Sequence, residues 1–225
     1  MKTPLLVFDM DDTLYLERDY VLSGFRAVGA WIKTRYQISG FDQLCINAFT
    51  EEVRGRIFDQ ALKGAGIPFD KQMVQQLVEV YRSHAPDIGL AMDAQSFLSR
   101  WPHPLGLISD GPLLSQSNKV RALQLERWFE CCLLTDKWGR EFWKPHTRAF
   151  RTIEAHFDVS GPQCIYIGDN PEKDFFACHQ LGWRSIRIRR QNGMHSGRES
   201  SGSQAADEEI SSFDEIFDTL YRLAA

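Results

Sequence analysis

Two short apolar runs in this sequence end in closely spaced carboxylates. Asp9 and Asp11 follow the first run, and Asp169 and Asp174 follow the other. Carboxylates brought together in a low-dielectric site repel one another by several kcal/mol unless a cation neutralises them. Mg²⁺ is suited to this, since it prefers oxygen ligands and needs only one or two carboxylates beside a substrate phosphate. Asp9, Asp11 and Asp169 therefore indicate a magnesium site.

Donors for an anion occur at two other points of the chain. Ser109 and Asp110 end another apolar run, and Lys144 precedes Pro145. A lysine and a hydroxyl group can together bind the oxygens of a phosphoryl group. The two-residue spacing of Asp9 and Asp11 lets one carboxylate attack phosphorus while the other handles the proton of the leaving group. These residue types favour phosphoryl-transfer chemistry.

The apolar runs predict the strands that position these residues. Five runs read as buried parallel strands: Leu5–Phe8, Leu105–Ile108, Cys131–Leu134, Cys164–Ile167 and Ser185–Ile188. Helical periodicity fills the later gaps between them, which predicts an α/β fold with a Rossmann-like, doubly wound parallel sheet. Ligands of such sheets collect beyond the carboxyl ends of the strands, where the polar residues lie.

The segment after the first strand has a different pattern. Residues 15–90 contain no convincing strand but three apolar helical faces, from Phe25 to Tyr36, from Ile46 to Ile57 and from Met73 to Tyr81. This predicts an all-helical domain inserted into a discontinuous core of residues 1–14 and 91–225. Within the core, residues 191–209 are rich in Gly and Ser and predict a flexible loop.

Three further helices are predicted, two of them from their first residues. Asn170-Pro171 is a strong helix start, and that helix would end at Gly182. Helical spacing also continues from Leu114 to Phe129. Ser212 and Glu215 predict a capping box for the last helix.

Four short motifs occur in one order along the chain. They are D-x-D-x-T-L from Asp9, the serine that ends the second strand, Lys144-Pro145, and G-D-N-P-x-x-D from Gly168. Together they resemble the haloacid dehalogenase superfamily of phosphohydrolases, and the resemblance covers about residues 3–190.

This resemblance implies roles for the acidic residues and the lysine. Asp9 would attack phosphorus and become a phosphoaspartate, and Asp11 would protonate the leaving alcohol and then activate water. Mg²⁺ would be held by the Asp9 carboxylate, the Asp11 backbone carbonyl and Asp169. Lys144 would neutralise charge on the nucleophile and the phosphate. Asp174 would orient Lys144 or a metal-bound water.

The resemblance also implies how substrate is held. Ser109 and the backbone N–H groups that follow it, from Asp110 on, would bind the phosphoryl oxygens. Asp110 departs from the family pattern, in which many members have Asn, and a small effect is expected. The inserted domain at 15–90 resembles the subclass I cap of the family, which closes over the site and selects the substrate.

The favoured hypothesis is a Mg²⁺-dependent phosphatase for a small-molecule phosphate ester. Alternatives are a phosphomutase or phosphotransferase of the same family, a phospho-accepting signalling domain, and a non-catalytic binding scaffold. A signalling receiver domain would be much shorter, without a large helical insertion after its first strand. An inactive scaffold would not need to keep all four motifs.

Composition limits the partners. The 26 basic and 30 acidic residues give a net charge of −4, whereas proteins that bind nucleic acid usually have a basic excess. No apolar run reaches the roughly 18 residues needed to span a membrane, so we expect no membrane partner and a cytoplasmic location. The five scattered cysteines fit neither a disulfide framework nor a CxxC metal site and read as buried filler. We expect a monomer or a homodimer.

Overall fold

The computed structural model describes residues 3–53 and 55–224. These residues divide into two compact units. The first contains the chain up to Arg18 and again from Gly89 onward, and the second contains Asp19–Ile88. Across the described ranges, no helix combines the length and the apolar character that a membrane crossing needs.

Six strands form one parallel sheet in the first unit. They are β1 (Leu5–Phe8), β2 (Leu105–Ser109), β3 (Cys131–Leu134), β4 (Cys164–Gly168), β5 (Arg184–Ile188) and β6 (Glu208–Ile210). Their order across the sheet is β3-β2-β1-β4-β5-β6, so β1 lies centrally between β2 and β4. Leu6 pairs with Leu105 on one side and with Ile165 on the other. This order and direction confirm the predicted doubly wound sheet.

Helices accompany the strands and fill the second unit. In chain order the α-helices are α1 (Glu17–Tyr36), α2 (Phe41–Thr50), α3 (Ile57–Gly64), α4 (Lys71–Ser83), α5 (Met92–Arg100), α6 (Leu113–Ala122), α7 (Arg148–Phe157), α8 (Phe176–Leu181) and α9 (Ile216–Ala224).

Both faces of the sheet are covered by apolar side chains. Alternate residues of a strand point to opposite faces, and β1 is buried along its whole length. On one face Val7 belongs to a core cluster with Phe150 of α7. On the other, the Phe8 ring lies 5.9 Å from that of Phe97 and 5.8 Å from that of Phe213. Burial on two faces explains why the strands read as continuous apolar runs.

Among the described residues of the second unit, all regular structure is helical, but one helix boundary differs from the prediction. The predicted face from Ile46 to Ile57 spans two helices, because α2 ends at Thr50 and α3 begins at Ile57. Asp70 caps α4 by accepting a hydrogen bond from the backbone N–H of Met73. Apolar residues of α1 to α4 form a separate core cluster.

The structure adds a sixth strand to the five that were predicted, and it gives regular structure to parts of 191–209, which was predicted as a flexible loop. Glu208–Ile210 pairs in parallel with β5, and a turn of 3₁₀ helix precedes it at Gly202–Gln204. The same segment is bonded to the core where the backbone N–H of Met194 donates to Asp12 Oδ2 at 2.7 Å.

Two predicted helices are shorter than expected. The helix predicted from Asn170 begins only at Phe176, because residues 170–174 form a turn in which the Asn170 N–H donates to Asp174 Oδ2 at 2.9 Å. It ends before Gly182, as predicted. The helical spacing that continues to Phe129 is interrupted after α6, where Gln124 adopts a left-handed conformation with φ 51°.

The structure also bears on the predicted capping box and on the cysteines. The capping box of Ser212 and Glu215 is present and directly precedes α9. All five cysteines are free, and three of them are buried, namely Cys45, Cys164 and Cys178.

Candidate active site

The carboxyl ends of neighbouring strands bring the polar residues together. Asp9 follows β1 directly, Ser109 ends β2, and Asp169 follows β4. Since β1 lies between β2 and β4, these side chains belong to one edge of the sheet. The backbone N–H of Asp9 donates to the carbonyl of Ile167 at 2.8 Å, which extends the pairing of β1 with β4 into the site.

A buried lysine is paired with two of the carboxylates. The Nζ atom of Lys144 lies 2.5 Å from Asp9 Oδ1 and 2.8 Å from Asp174 Oδ1, and it donates to the Tyr166 hydroxyl at 2.8 Å. Burial disfavours the charged ammonium, but Asp174 and Asp9 outweigh it and hold the pKa of Lys144 well above its ordinary value. Lys144 is therefore a fixed positive charge beside Asp9.

Three buried carboxylates are close enough to share a cation. Asp9, Asp169 and Asp174 each offer an oxygen, and these oxygens all lie within 4.8 Å of one another. Burial and the neighbouring carboxylates raise the pKa of Asp169 well above its usual range. Burial also raises the pKa of Asp9 to about 6, although Lys144 opposes this. Excess negative charge is thus concentrated at one point.

An unpartnered oxygen supports a metal at this point. Asp169 Oδ2 is buried and has no hydrogen-bond partner among the described residues, which is costly for a carboxylate oxygen unless another ligand binds it. The donors are all hard oxygen atoms, the ligand type that Mg²⁺ takes. The residues present therefore fit a magnesium ion, with Asp174 in the trio where the sequence motif suggested a supporting role.

Asp11 lies in a different set of contacts. Its Oδ1 accepts hydrogen bonds from the Tyr15 hydroxyl and, at 2.7 Å, from Lys119 Nζ, and its Oδ2 accepts one from Gln116 Nε2 at 2.9 Å. Burial disfavours ionisation, but the ion pair with Lys119 outweighs it and lowers the pKa of Asp11 below its usual value. Asp9 and Asp11 therefore have opposite pKa shifts despite being two residues apart.

The Asp110 side chain holds the segment that carries Lys144. Its Oδ1 accepts a hydrogen bond from the Thr135 hydroxyl at 2.6 Å, and both of its oxygens accept from the backbone N–H of Lys144, at 3.2 and 3.1 Å. The motif predicted a role in the site only for the backbone N–H of Asp110. The side chain adds a link between the ends of β2 and β3 and the buried lysine.

Two glycines leave room for these contacts. A Cβ atom at Gly168 would lie 2.5 Å from Asp174 Oδ2, so a larger residue would displace that carboxylate. Gly111 has φ 131°, which disfavours other residues, and a Cβ there would lie 3.0 Å from the Gln116 side chain. Both glycines thus permit the close approach of a site side chain.

Sequence reasoning missed several residues of the site. They are Tyr15, Gln116, Lys119, Thr135 and Tyr166. Only the pair on α6 left a usable signal, since Gln116 and Lys119 are three residues apart and share a helix face shortly after the Ser109 turn.

The sequence matches a known family over most of its length. The model of the family described as "haloacid dehalogenase-like hydrolase" matches residues 6–188 of the sequence. The chain belongs to the haloacid dehalogenase-like hydrolase family. The resemblance stated from the four motifs is therefore confirmed.

Relatives within the family are distant in sequence. The glyceraldehyde 3-phosphate phosphatase of Methanocaldococcus jannaschii is 23% identical over 97% of each chain. The phosphoserine phosphatase of Thermus thermophilus is 28% identical over 69% of this chain and 61% of its own length.

Solved structures share the fold. A HAD-hydrolase of Bacillus subtilis crystallised with magnesium is 18% identical, with a TM-score of 0.69 over 98% of this chain and 99% of its own. The 2-haloacid dehalogenase of Pseudomonas syringae is 22% identical, with a TM-score of 0.66 over 98% and 99%. The chain and these two proteins thus share a fold over nearly their whole lengths.

Proposed function

We propose that this protein is a Mg²⁺-dependent phosphatase that hydrolyses a small-molecule phosphomonoester through a phosphoaspartate on Asp9. One observation carries the proposal. A buried carboxylate, Asp9, is in contact with a buried ammonium, Lys144, and close to two further carboxylates, Asp169 and Asp174, that could hold a cation. A nucleophile, a charge for the phosphate and a metal site thus coincide.

In the first step, an Asp9 carboxylate oxygen attacks phosphorus and the bond between phosphorus and the ester oxygen breaks. Asp11, which must carry a proton in this step although Lys119 lowers its pKa, gives that proton to the departing alkoxide, which leaves as an alcohol. The ammonium of Lys144 stays close to the attacking carboxylate and offsets the charge of the phosphoryl group. The Ser109 hydroxyl and the backbone N–H groups after it donate to the phosphoryl oxygens.

In the second step, Asp11 takes a proton from water, whose oxygen attacks the phosphorus of the phosphoaspartate. The bond between phosphorus and the Asp9 oxygen breaks, which releases inorganic phosphate and restores both aspartates. The Asp9, Asp169 and Asp174 carboxylates, with the Asp11 backbone carbonyl, would hold Mg²⁺. When bound, the ion supplies positive charge that neutralises the carboxylates and polarises the phosphoryl oxygens.

Asp11 distinguishes phosphoryl chemistry from dehalogenation. Within the family, the dehalogenase branch lacks a second aspartate at this position and needs no metal. Here Asp11 is present and lies in a hydrogen-bonded network. The names of two curated relatives, a glyceraldehyde 3-phosphate phosphatase and a phosphoserine phosphatase, also support a small phosphate ester as substrate.

The test is phosphate release from glyceraldehyde 3-phosphate, phosphoserine and p-nitrophenyl phosphate, with Mg²⁺ and with EDTA. We expect Mg²⁺-dependent release from at least one of them and a loss to background in Asp9→Asn. Asp19→Asn, which changes an exposed carboxylate, is the matched control and should keep wild-type activity. A wild type that releases no phosphate from the panel, or an Asp9→Asn variant as active as wild type, would refute the proposal.

A further inference from the structure

Helix α6 presents two buried polar side chains to the site. Gln116 and Lys119 are 1% and 4% exposed, and both donate hydrogen bonds to the carboxylate of Asp11. Burying an amide and an ammonium is costly unless they are fully bonded. Their hydrogen bonds to Asp11 offset this cost, and they indicate a role for both residues that is separate from the roles of the nucleophile and the metal ligands.

The two oxygens of Asp11 are occupied to different extents. Oδ1 accepts from both Lys119 Nζ and the Tyr15 hydroxyl, which uses the two lone pairs that a carboxylate oxygen offers. In the part of the chain that is described, Oδ2 accepts only from Gln116 Nε2, so one lone pair of Oδ2 stays available. A proton can therefore be carried on Oδ2 without breaking the contacts at Oδ1.

Gln116 also determines how Ser109 can bond. Its Nε2 atom donates to Asp11 Oδ2 at 2.9 Å and to Ser109 Oγ at 2.7 Å, which uses both amide hydrogens. The opposite amide orientation would place Oε1 against the Asp11 carboxylate, where two acceptors repel. Because Ser109 Oγ accepts from Gln116, the hydroxyl hydrogen of Ser109 is left to donate elsewhere.

We propose that Gln116 and Lys119 are positioning residues that make Oδ2 the proton-transferring oxygen of Asp11 and direct the Ser109 hydroxyl hydrogen toward the substrate phosphoryl group. Lys119 acts on Asp11 at Oδ1. Gln116 connects Asp11 to Ser109 and serves both proton transfer and phosphoryl binding. This inference rests on the proposed phosphatase function and adds two residues to its machinery.

The roles proposed for Lys119 and Gln116 predict that their variants lose different amounts of activity on esters with different leaving groups. Asp11 matters most for an alkyl ester, whose alkoxide must be protonated, and least for p-nitrophenyl phosphate, whose phenolate departs without a proton. Lys119→Met should lower kcat/KM about 10²-fold for the alkyl ester and only a few-fold for the aryl ester. Gln116→Leu should lower it for both esters, because the Ser109 donor serves both.

The experiment compares kcat/KM for p-nitrophenyl phosphate with that for glyceraldehyde 3-phosphate or phosphoserine, whichever the wild type hydrolyses faster. Lys119→Arg should recover part of the alkyl-ester rate, since it keeps a cation at Oδ1, and Lys119→Gln replaces Lys119→Met if that variant does not fold. Arg121→Gln removes an exposed cation from the same helix and should match the wild type.

Equal losses on the two esters in the Lys119 variants, or the same selectivity in Arg121→Gln, would overturn the positioning role while leaving the phosphatase proposal intact. A wild type that hydrolyses none of these esters would overturn both.

Discussion

Replacing Lys144 with methionine tests how strongly the site depends on one buried charge. The change keeps a side chain of similar length but removes the ammonium that lies 2.5 Å from Asp9 Oδ1 and 2.8 Å from Asp174 Oδ1. Both carboxylates are then left buried without their cation. Removing one partner of a buried pair costs about 3–5 kcal/mol. For a chain of 225 residues this corresponds to a fall in Tm of about 6–20 °C.

The assay is unfolding by heat and by urea in EDTA, at pH 7.5 and at pH 5.0. Burial already raises the pKa of Asp9 to about 6, and losing Lys144 raises it further, so protons replace the lysine charge in acid. The loss in unfolding free energy should therefore be largest at pH 7.5 and shrink at pH 5.0. Lys63→Met, which changes an exposed lysine, is the matched control and should stay within about 0.5 kcal/mol of wild type.

A double variant separates charge from packing. Lys144→Met with Asp174→Asn removes one positive and one negative group, so it should be more stable at pH 7.5 than Lys144→Met alone. The reasoning is refuted if Lys144→Met costs no more than Lys63→Met, if its cost does not fall in acid, or if the second change adds a further loss.

Three further predictions concern metal binding, pH and the core. Burial raises the pKa of Asp9 to about 6 and that of Glu17 to about 7, so the metal-free folded protein binds more protons than the unfolded chain. Its unfolding free energy in EDTA should fall as pH rises from about 4 to about 7, and Mg²⁺ should raise Tm more at pH 7.5 than at pH 5.0; the opposite order would contradict this. Asp174→Asn should weaken Mg²⁺ binding at least about tenfold by calorimetry, and unchanged affinity would remove Asp174 from the ligand set. Phe150→Ala should lower the unfolding free energy by about 3–5 kcal/mol in urea, since Phe150 is fully buried against the sheet, and a loss below 1 kcal/mol would contradict its core position.

The strands were the most predictable part of the fold. A parallel strand covered on both faces is a short apolar run that stops at turn residues, and all five predicted strands agree with the structure to within one residue at each end. The sixth strand, Glu208–Ile210, escaped this rule. It is three residues long at the edge of the sheet, and only Ile210 in it is buried.

Helix limits were less predictable, because side-chain contacts decide them. The turn after Asn170 persists because Asp174 bends back to accept from the Asn170 N–H and at the same time pairs with Lys144. Helix propensity and the Asn-Pro start favour a helix here, but the buried ion pair needs Asp174 in another position. The sequence shows the preference for a helix, but it does not show the ion pair that overrides this preference.

The residues of the candidate site also differ in how far the sequence predicts them. Asp9, Asp169 and Lys144 could be selected because they belong to motifs next to strands. The contacts of Asp11 could not, since Lys119 lies 108 residues away along the chain and looks like an ordinary helical lysine until the fold places it. The motif residues next to the strand ends carry sequence signals, whereas the residues that contact them from elsewhere in the chain depend on tertiary structure.

The charges of the site make the cation and the phosphate group depend on each other. Asp9, Asp169 and Asp174 concentrate three carboxylates within 4.8 Å, and Lys144 is paired directly with Asp9 and Asp174. A phosphate dianion approaching this trio would meet their repulsion, and a divalent cation would offset it and gain a further oxygen donor from the phosphate. Protons can relieve the same repulsion, as the raised pKa values of Asp9 and Asp169 indicate, but a protonated Asp9 is a poor nucleophile. In the proposed mechanism, the carboxylates that leave the metal-free fold with excess negative charge would therefore also make a bound cation a condition for both substrate binding and nucleophilic attack.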